Sequence, residues 1–249
     1  MALVAAVIVP ASTGAAQPPS PIPGAKRRAR DPVLRVMSFD LRYASSQPPN
    51  AWSLRRPVMR DLPRRLAPDL IGIQEGRYGQ LRNIEADLPG YDWIGEGRSG
   101  GSRREFCALF YRKERLEPLE YDSFWLSDQP RQIGSLSPKT CGNKIRRLVT
   151  WVRFHDRRTR QLFYAVNTHL DFNEGFQMKS GTAILNQVRR FAEGAPVTTL
   201  TAEIVTDASP SGQYPSDHFP VMMELLVGAP RARELGMLTY LRRLRGAFH

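Results

Sequence analysis

Apolar and polar positions alternate through Leu34-Arg35-Val36-Met37-Ser38-Phe39. Such a period of two marks a half-buried strand. The pattern switches to a helical one over Arg55 to Leu66, and Pro68-Asp69 ends it. Leu70-Ile71-Gly72-Ile73 then reads as a second strand, which delivers Gln74-Glu75 at its C-terminal end. Residues 80–88 predict a short helix. Strand-like runs recur at Tyr91–Gly95, Phe106–Tyr111, Phe124–Leu126, Leu148–Phe154 and Leu162–Asn167. A helical stretch over Met178 to Phe191 and strands at Thr199–Val205 and Val221–Val227 complete the series. Helices and strands intermix without a regular βαβ period or a repeat, so mixed sheets fit better than a doubly wound parallel sheet.

The two ends of the chain follow neither pattern. Residues 1–31 begin with a short apolar stretch and small residues, then become Pro-rich and basic. They read as a signal-like segment followed by a flexible linker, which points to a secreted protein. A basic n-region is missing, so a cytoplasmic location is the alternative. The apolar run is short and broken by Pro10, so no transmembrane anchor is expected. Residues 229–249 set Leu235, Leu238, Leu241, Leu244 and Phe248 among arginines and read as a basic tail or surface helix. Residues 32–228 remain as one domain, which suits a chain of 249 residues.

Composition narrows the class only a little. Hydrophobic residues make up 41% and charged residues 24%, which excludes wholesale disorder. The net charge of +12 suggests nucleic acid at first sight, but residues 1–31 carry +3 and residues 229–249 carry +4, leaving about +5 for the body. That excess suits any anionic substrate. Two cysteines, Cys107 and Cys141, exclude a disulfide framework. Cys107 lies in the apolar run Phe106–Tyr111 and reads as a small buried hydrophobe.

Three places put chemistry-bearing residues at strand ends. Glu75 follows an apolar strand, where a charge is a poor core choice. His169 closes Val166-Asn167-Thr168-His169, a polar crowd on an apolar run. Asp217-His218 stands between Pro215 and Pro220 just before a strand, so its flanks are rigid. Each alone is weak: a strand-end acid is usually solvated and a lone histidine is usually structural.

In order along the chain, Met37-Ser38-Phe39-Asp40-Leu41-Arg42-Tyr43, Ile73-Gln74-Glu75, Asn167-Thr168-His169-Leu170-Asp171 and Ser216-Asp217-His218-Phe219-Pro220 resemble the endonuclease/exonuclease/phosphatase family. The resemblance spans roughly Val33 to Val227. It implies a DNase I-like four-layer α/β sandwich with two mixed central sheets, and a metal-dependent hydrolase of phosphate esters. It also implies that Glu75 binds Mg²⁺ or Mn²⁺ with Asp40 beside it. His169 would contact the scissile phosphate, and Asp217 with His218 would orient and deprotonate the attacking water. Arg147 and Asn167 would lie near the substrate phosphate. Nucleic acids, phosphoinositides, sphingomyelin and small phosphodiesters are all handled on this fold, so the substrate class stays open.

Two departures qualify that expectation. Asp40 stands where the family usually has Asn. More seriously, the family's strand ending in Gly-Asp-Phe-Asn is absent between His169 and Asp217, as if several tens of residues were missing near 195–197. The domain is therefore expected to be incomplete, with exposed sheet edges and impaired activity, and a non-catalytic anion-binding protein is the competing reading. Finally, Gly97-Arg98-Ser99-Gly100-Gly101 has the form of a nucleophile elbow but is followed by a loop and a strand instead of a helix, so it reads as a Gly-rich loop.

Overall fold

The computed structural model describes residues 7–10, 32–137, 144–170, 184, 197–204, 216 and 220–227, with only the backbone given for 7–10, 197–204, 224 and 226. The helical stretch predicted over 178–191 lies outside these residues except for Ile184. The predicted tail 229–249 lies wholly outside them.

A short strand, β1 (Val7–Pro10), precedes the body. Then come β2 (Val33–Asp40), α1 (Trp52–Leu66), β3 (Leu70–Arg77), α2 (Tyr78–Asp87), β4 (Tyr91–Ile94) and β5 (Glu105–Arg112). They are followed by β6 (Leu116–Trp125), β7 (Leu148–Asp156), β8 (Leu162–Thr168), β9 (Val197–Ile204) and β10 (Val221–Val227). A six-stranded sheet has the order β4-β5-β3-β2-β10-β9, and a four-stranded sheet has the order β1-β8-β7-β6. The first is mixed, because β2 and β3 run parallel with α1 as their crossover. Every described pairing in the second is antiparallel.

Side-chain alternation builds the layers. On β2, Met37 and Phe39 face one way and join Met59 and Leu62 of α1 and Leu81 and Ile84 of α2 in a buried cluster. Leu34 and Val36 face the other way and meet Val152, Phe154, Phe163 and Ala165 of the four-stranded sheet. Both faces of β2 are thus covered, which is why its alternation is shallow. On β7 and β8, Val149 and Val166 point outward and pack with Phe124 and the helical residue Ile184. The predicted α/β sandwich is therefore present: helices, mixed sheet, antiparallel sheet and an outer apolar cluster.

Elements that run past their expected limits do so for tertiary reasons. Helix α1 starts at Trp52, not Arg55, because the Trp52 backbone N–H donates to Ser45 O at 2.8 Å and its indole Nε1 donates to Asn83 Oδ1 at 2.9 Å. β6 extends back from Phe124 to Leu116. Its outer part is solvent-facing, with Glu117, Glu120 and Asp122, and it carries Pro118 at a register shift. Proline and charge suit an edge strand, yet they hide it from a hydrophobic pattern. β1 was expected as part of a signal-like segment; in the structure Val7–Pro10 pairs antiparallel with Phe163–Val166 and covers the outer edge of β8.

Polar clamps tie the two sheets at opposite ends. At one end Arg115, whose side chain is fully buried, donates from Nη1 to Val33 O and Asp69 Oδ2 at 2.7 Å and from Nη2 to Asp156 Oδ2 at 2.9 Å. At the other end lies Asn167, described next.

Candidate functional site

β2 and β3 end side by side. Asp40 pairs with Gln74 in the parallel register, and the Leu41 N–H continues the ladder to Gln74 O at 3.0 Å. The register of β3 against β5 then shifts between Ile73 and Gly76, and within that bulge Glu75 adopts φ +58°. A bulge re-aims side chains. Here it occurs at the residue that follows Gln74, where the strand leaves its ladder. Asp40 is buried, and its Oδ1 accepts the Arg42 N–H at 2.8 Å.

From the other sheet, β8 brings His169 to the same place, also buried. One ligand atom from each of Asp40, Glu75 and His169 lies within 4.8 Å of the others. Two carboxylate oxygens and an imidazole nitrogen are a donor set that suits a divalent cation. The chemistry of these three residues therefore fits the metal that the resemblance implies, with His169 close enough to serve as a third donor.

Asn167, two residues earlier on β8, lies behind this group. It is fully buried, and its Nδ2 donates to Ile73 O and Ala108 O, both at 2.9 Å. Its Oδ1 accepts from Gln74 Nε2 at 2.7 Å. The amide is thus engaged across the two sheets. Gly72 belongs to the same fit: a Cβ there would lie 3.0 Å from Asn167 Oδ1.

A narrow pocket of about 10 Å³ opens between Glu75 and His169. Arg147, expected near the phosphate, lines it and is only 4% exposed. The other lining residues are Arg98, Glu105, Phe106, Cys107, Arg146 and Leu148, none of which was expected at the site. Arg98 sits in the Gly-rich loop, which is a loop as predicted, with Gly100 at φ +86°. Its guanidinium forms a two-pronged ion pair with Glu105, at 2.8 and 2.9 Å. Burial lowers the pKa of Arg98, and the Glu105 carboxylate opposes that shift. The buried Cys107 thiol is pushed up to about 12, chiefly by desolvation, and is inert at neutral pH.

Asp217 and His218 lie outside the described residues. Their neighbours Ser216 and Pro220 are buried, and β10 begins at Val221, paired with Ser38 two residues before Asp40. Among the described residues no helix is long and apolar enough to cross a membrane.

No protein-family model and no curated protein matches the sequence. Solved structures do. An endonuclease/exonuclease/phosphatase from Bacteroides vulgatus superposes with TM-score 0.68 at 22% identity, covering 78% of this chain and 98% of that one. The mannosyl-6-phosphatase Bt3783 of Bacteroides thetaiotaomicron gives TM-score 0.70 at 22% identity, over 78% of this chain and 100% of the other. TDP2 of D. rerio, complexed with a single-strand DNA product, gives 0.63 at 12% identity, over 79% and 100%. These superpositions show that the chain has the fold of the endonuclease/exonuclease/phosphatase proteins.

Proposed function

We propose that the chain is a metal-dependent hydrolase of phosphate esters, with Glu75 and Asp40 holding Mg²⁺ or Mn²⁺. The observation that carries this reading is the convergence of Asp40, Glu75 and His169 within 4.8 Å beside a buried arginine, on a fold whose solved examples include a sugar phosphatase and a DNA-processing enzyme. When bound, the cation supplies neutralisation of the phosphoryl oxygens. Arg147 holds the phosphate by charge-assisted hydrogen bonds. His169 meets charge that develops on a phosphoryl oxygen. His218, oriented by Asp217, takes a proton from the attacking water.

The test uses the full chain with Mn²⁺ and two chromogenic substrates, p-nitrophenyl phosphate and bis-p-nitrophenyl phosphate. Turnover of either, lost in Glu75→Ala and His218→Ala, supports hydrolysis; no turnover above buffer rejects it. A second reading is a non-catalytic anion-binding protein on the same scaffold. It is favoured by the missing Gly-Asp-Phe-Asn strand, because catalytic groups that act as a unit lose activity together. Metal and anion binding without turnover would support it.

A further inference from the structure

We infer that Arg55, which lies outside the donor cluster, is the positioning residue for Asp40 and aims its carboxylate through the backbone of Arg42. The inference deepens the metal-site reading and rests on it. Arg55 stands near the start of α1 and is 1% exposed. Burying a guanidinium is costly unless its N–H groups are satisfied. One short loop supplies three acceptors: Nη1 donates to Leu41 O at 2.6 Å, Nη2 to Tyr43 O at 3.1 Å and Nε to Asn50 O at 3.0 Å. Leu41 and Tyr43 are the residues on either side of Arg42. A single planar group therefore holds the carbonyls before and after it, which its fixed fork of donors allows.

Arg42 needs that support. Its φ is +56°, a left-handed conformation that any side chain disfavours. Only in this turn does its N–H point back along the chain, where it donates to Asp40 Oδ1 at 2.8 Å. That bond fixes the rotation of a carboxylate that offers one of the three ligand atoms lying within 4.8 Å of one another. The β2–β3 ladder ends with the Leu41 N–H on Gln74 O, so it cannot set the direction in which the chain leaves afterwards. The guanidinium can. The loop also closes on it from its far end, because Arg42 Nη1 donates to Oδ1 of Asn50, the residue whose carbonyl Arg55 takes. With the guanidinium gone, Arg42 is free to relax to an ordinary φ and its N–H swings away from Asp40. Losing a hydrogen bond that orients a metal-binding carboxylate lowers metal affinity.

The experiment reads metal binding, so it does not depend on turnover. Mn²⁺ affinity is measured by electron paramagnetic resonance on the full chain, on Arg55→Lys, on Asp40→Ala and on the double variant. A lysine keeps the charge but cannot span both carbonyls. Arg55→Lys should weaken Mn²⁺ at least about tenfold. On the Asp40→Ala background, where Glu75 and His169 remain, the same change should cost less than about twofold. An arginine that merely stiffened the fold would weaken both backgrounds alike. Unchanged affinity in Arg55→Lys, or an equal loss in both backgrounds, would overturn the proposal. Where Asp40→Ala holds too little Mn²⁺ to measure, the comparison is made with Zn²⁺, which such donors bind more tightly. If Arg55→Lys does not fold, hydrogen exchange of the parent decides: a protected Arg42 amide supports the proposal, and one that exchanges freely overturns it. A parent chain that binds no Mn²⁺ sinks the metal reading and this inference together, whereas equal losses in both backgrounds sink the inference alone.

Discussion

Gln74 Nε2 donates to Asn167 Oδ1 at 2.7 Å, a fully buried bond between residues 93 positions apart, each on a different sheet. Gln74 immediately precedes Glu75, and Asn167 lies two residues before His169. The bond therefore sets how close a carboxylate and an imidazole from separate sheets can come. Removing it with Asn167→Ala also strands the carbonyls of Ile73 and Ala108. Each unsatisfied buried group costs about 1–3 kcal/mol, so a loss of roughly 3 kcal/mol is expected in urea unfolding. Mn²⁺ affinity should fall at least about tenfold as the supporting contact is lost. Unchanged metal affinity in a folded variant would show that Asn167 does not position the site.

At the opposite end of the sandwich, Arg115→Leu leaves Asp69 and Asp156 buried with their main counter-charge removed. A broken buried pair costs about 3–5 kcal/mol. Adding Asp69→Asn and Asp156→Asn should restore a large part of that, because the uncompensated charges are gone. Urea midpoints of the single and triple variants check this. Metal affinity should stay unchanged, since the clamp is remote from Glu75.

Glu75 is a glutamate in a left-handed conformation, φ +58°. A side chain there costs about 1–2 kcal/mol that glycine avoids. Glu75→Gly should accordingly raise thermal stability by roughly 1 kcal/mol while abolishing metal binding. A Glu75→Gly variant less stable than the parent would show that the carboxylate contributes more to the fold than its strain removes.

Cys107 predicts an alkaline limit. Burial raises its thiol from the ordinary 9.0 to about 12. A raised folded-state value means that the protonated thiol's contribution to stability is complete below 9.0 and is lost as pH climbs from 9.0 through about 12. The slope from this one group is at most about 1.4 kcal/mol per pH unit. Iodoacetamide should leave the Cys107 peptide unmodified in the native chain at pH 9.0 and label it after unfolding, as read by mass spectrometry.

Much of this was legible in the sequence because covered strands write their faces into it. Leu34 to Phe39 and Leu70 to Ile73 announce β2 and β3, while Asp40 and Glu75 at their ends were marked as metal ligands only through the family resemblance. The convergence of Arg98, Glu105 and Arg146 was not legible, since exposed or half-buried charges in loops and at strand ends look like ordinary solvated positions until the chain folds them onto one pocket. Asn167 was expected near the phosphate through the family resemblance; what no pattern along the chain could show is that its amide reaches Gln74, Ile73 and Ala108 on the other sheet. β6 was half seen, as one face of it meets water.

The pairing of early strands with late ones also sets an order of events during synthesis. β1 must wait for Phe163–Val166, and the second edge of β2 must wait for Val221–Leu226. At about 5–20 residues per second, that wait lasts roughly ten seconds or more, during which the apolar face of β2 has only the elements from α1 onward to cover it. Such distant pairings also slow folding after release. The strand that carries Asp40 is thus closed on both sides only after β10 has been made.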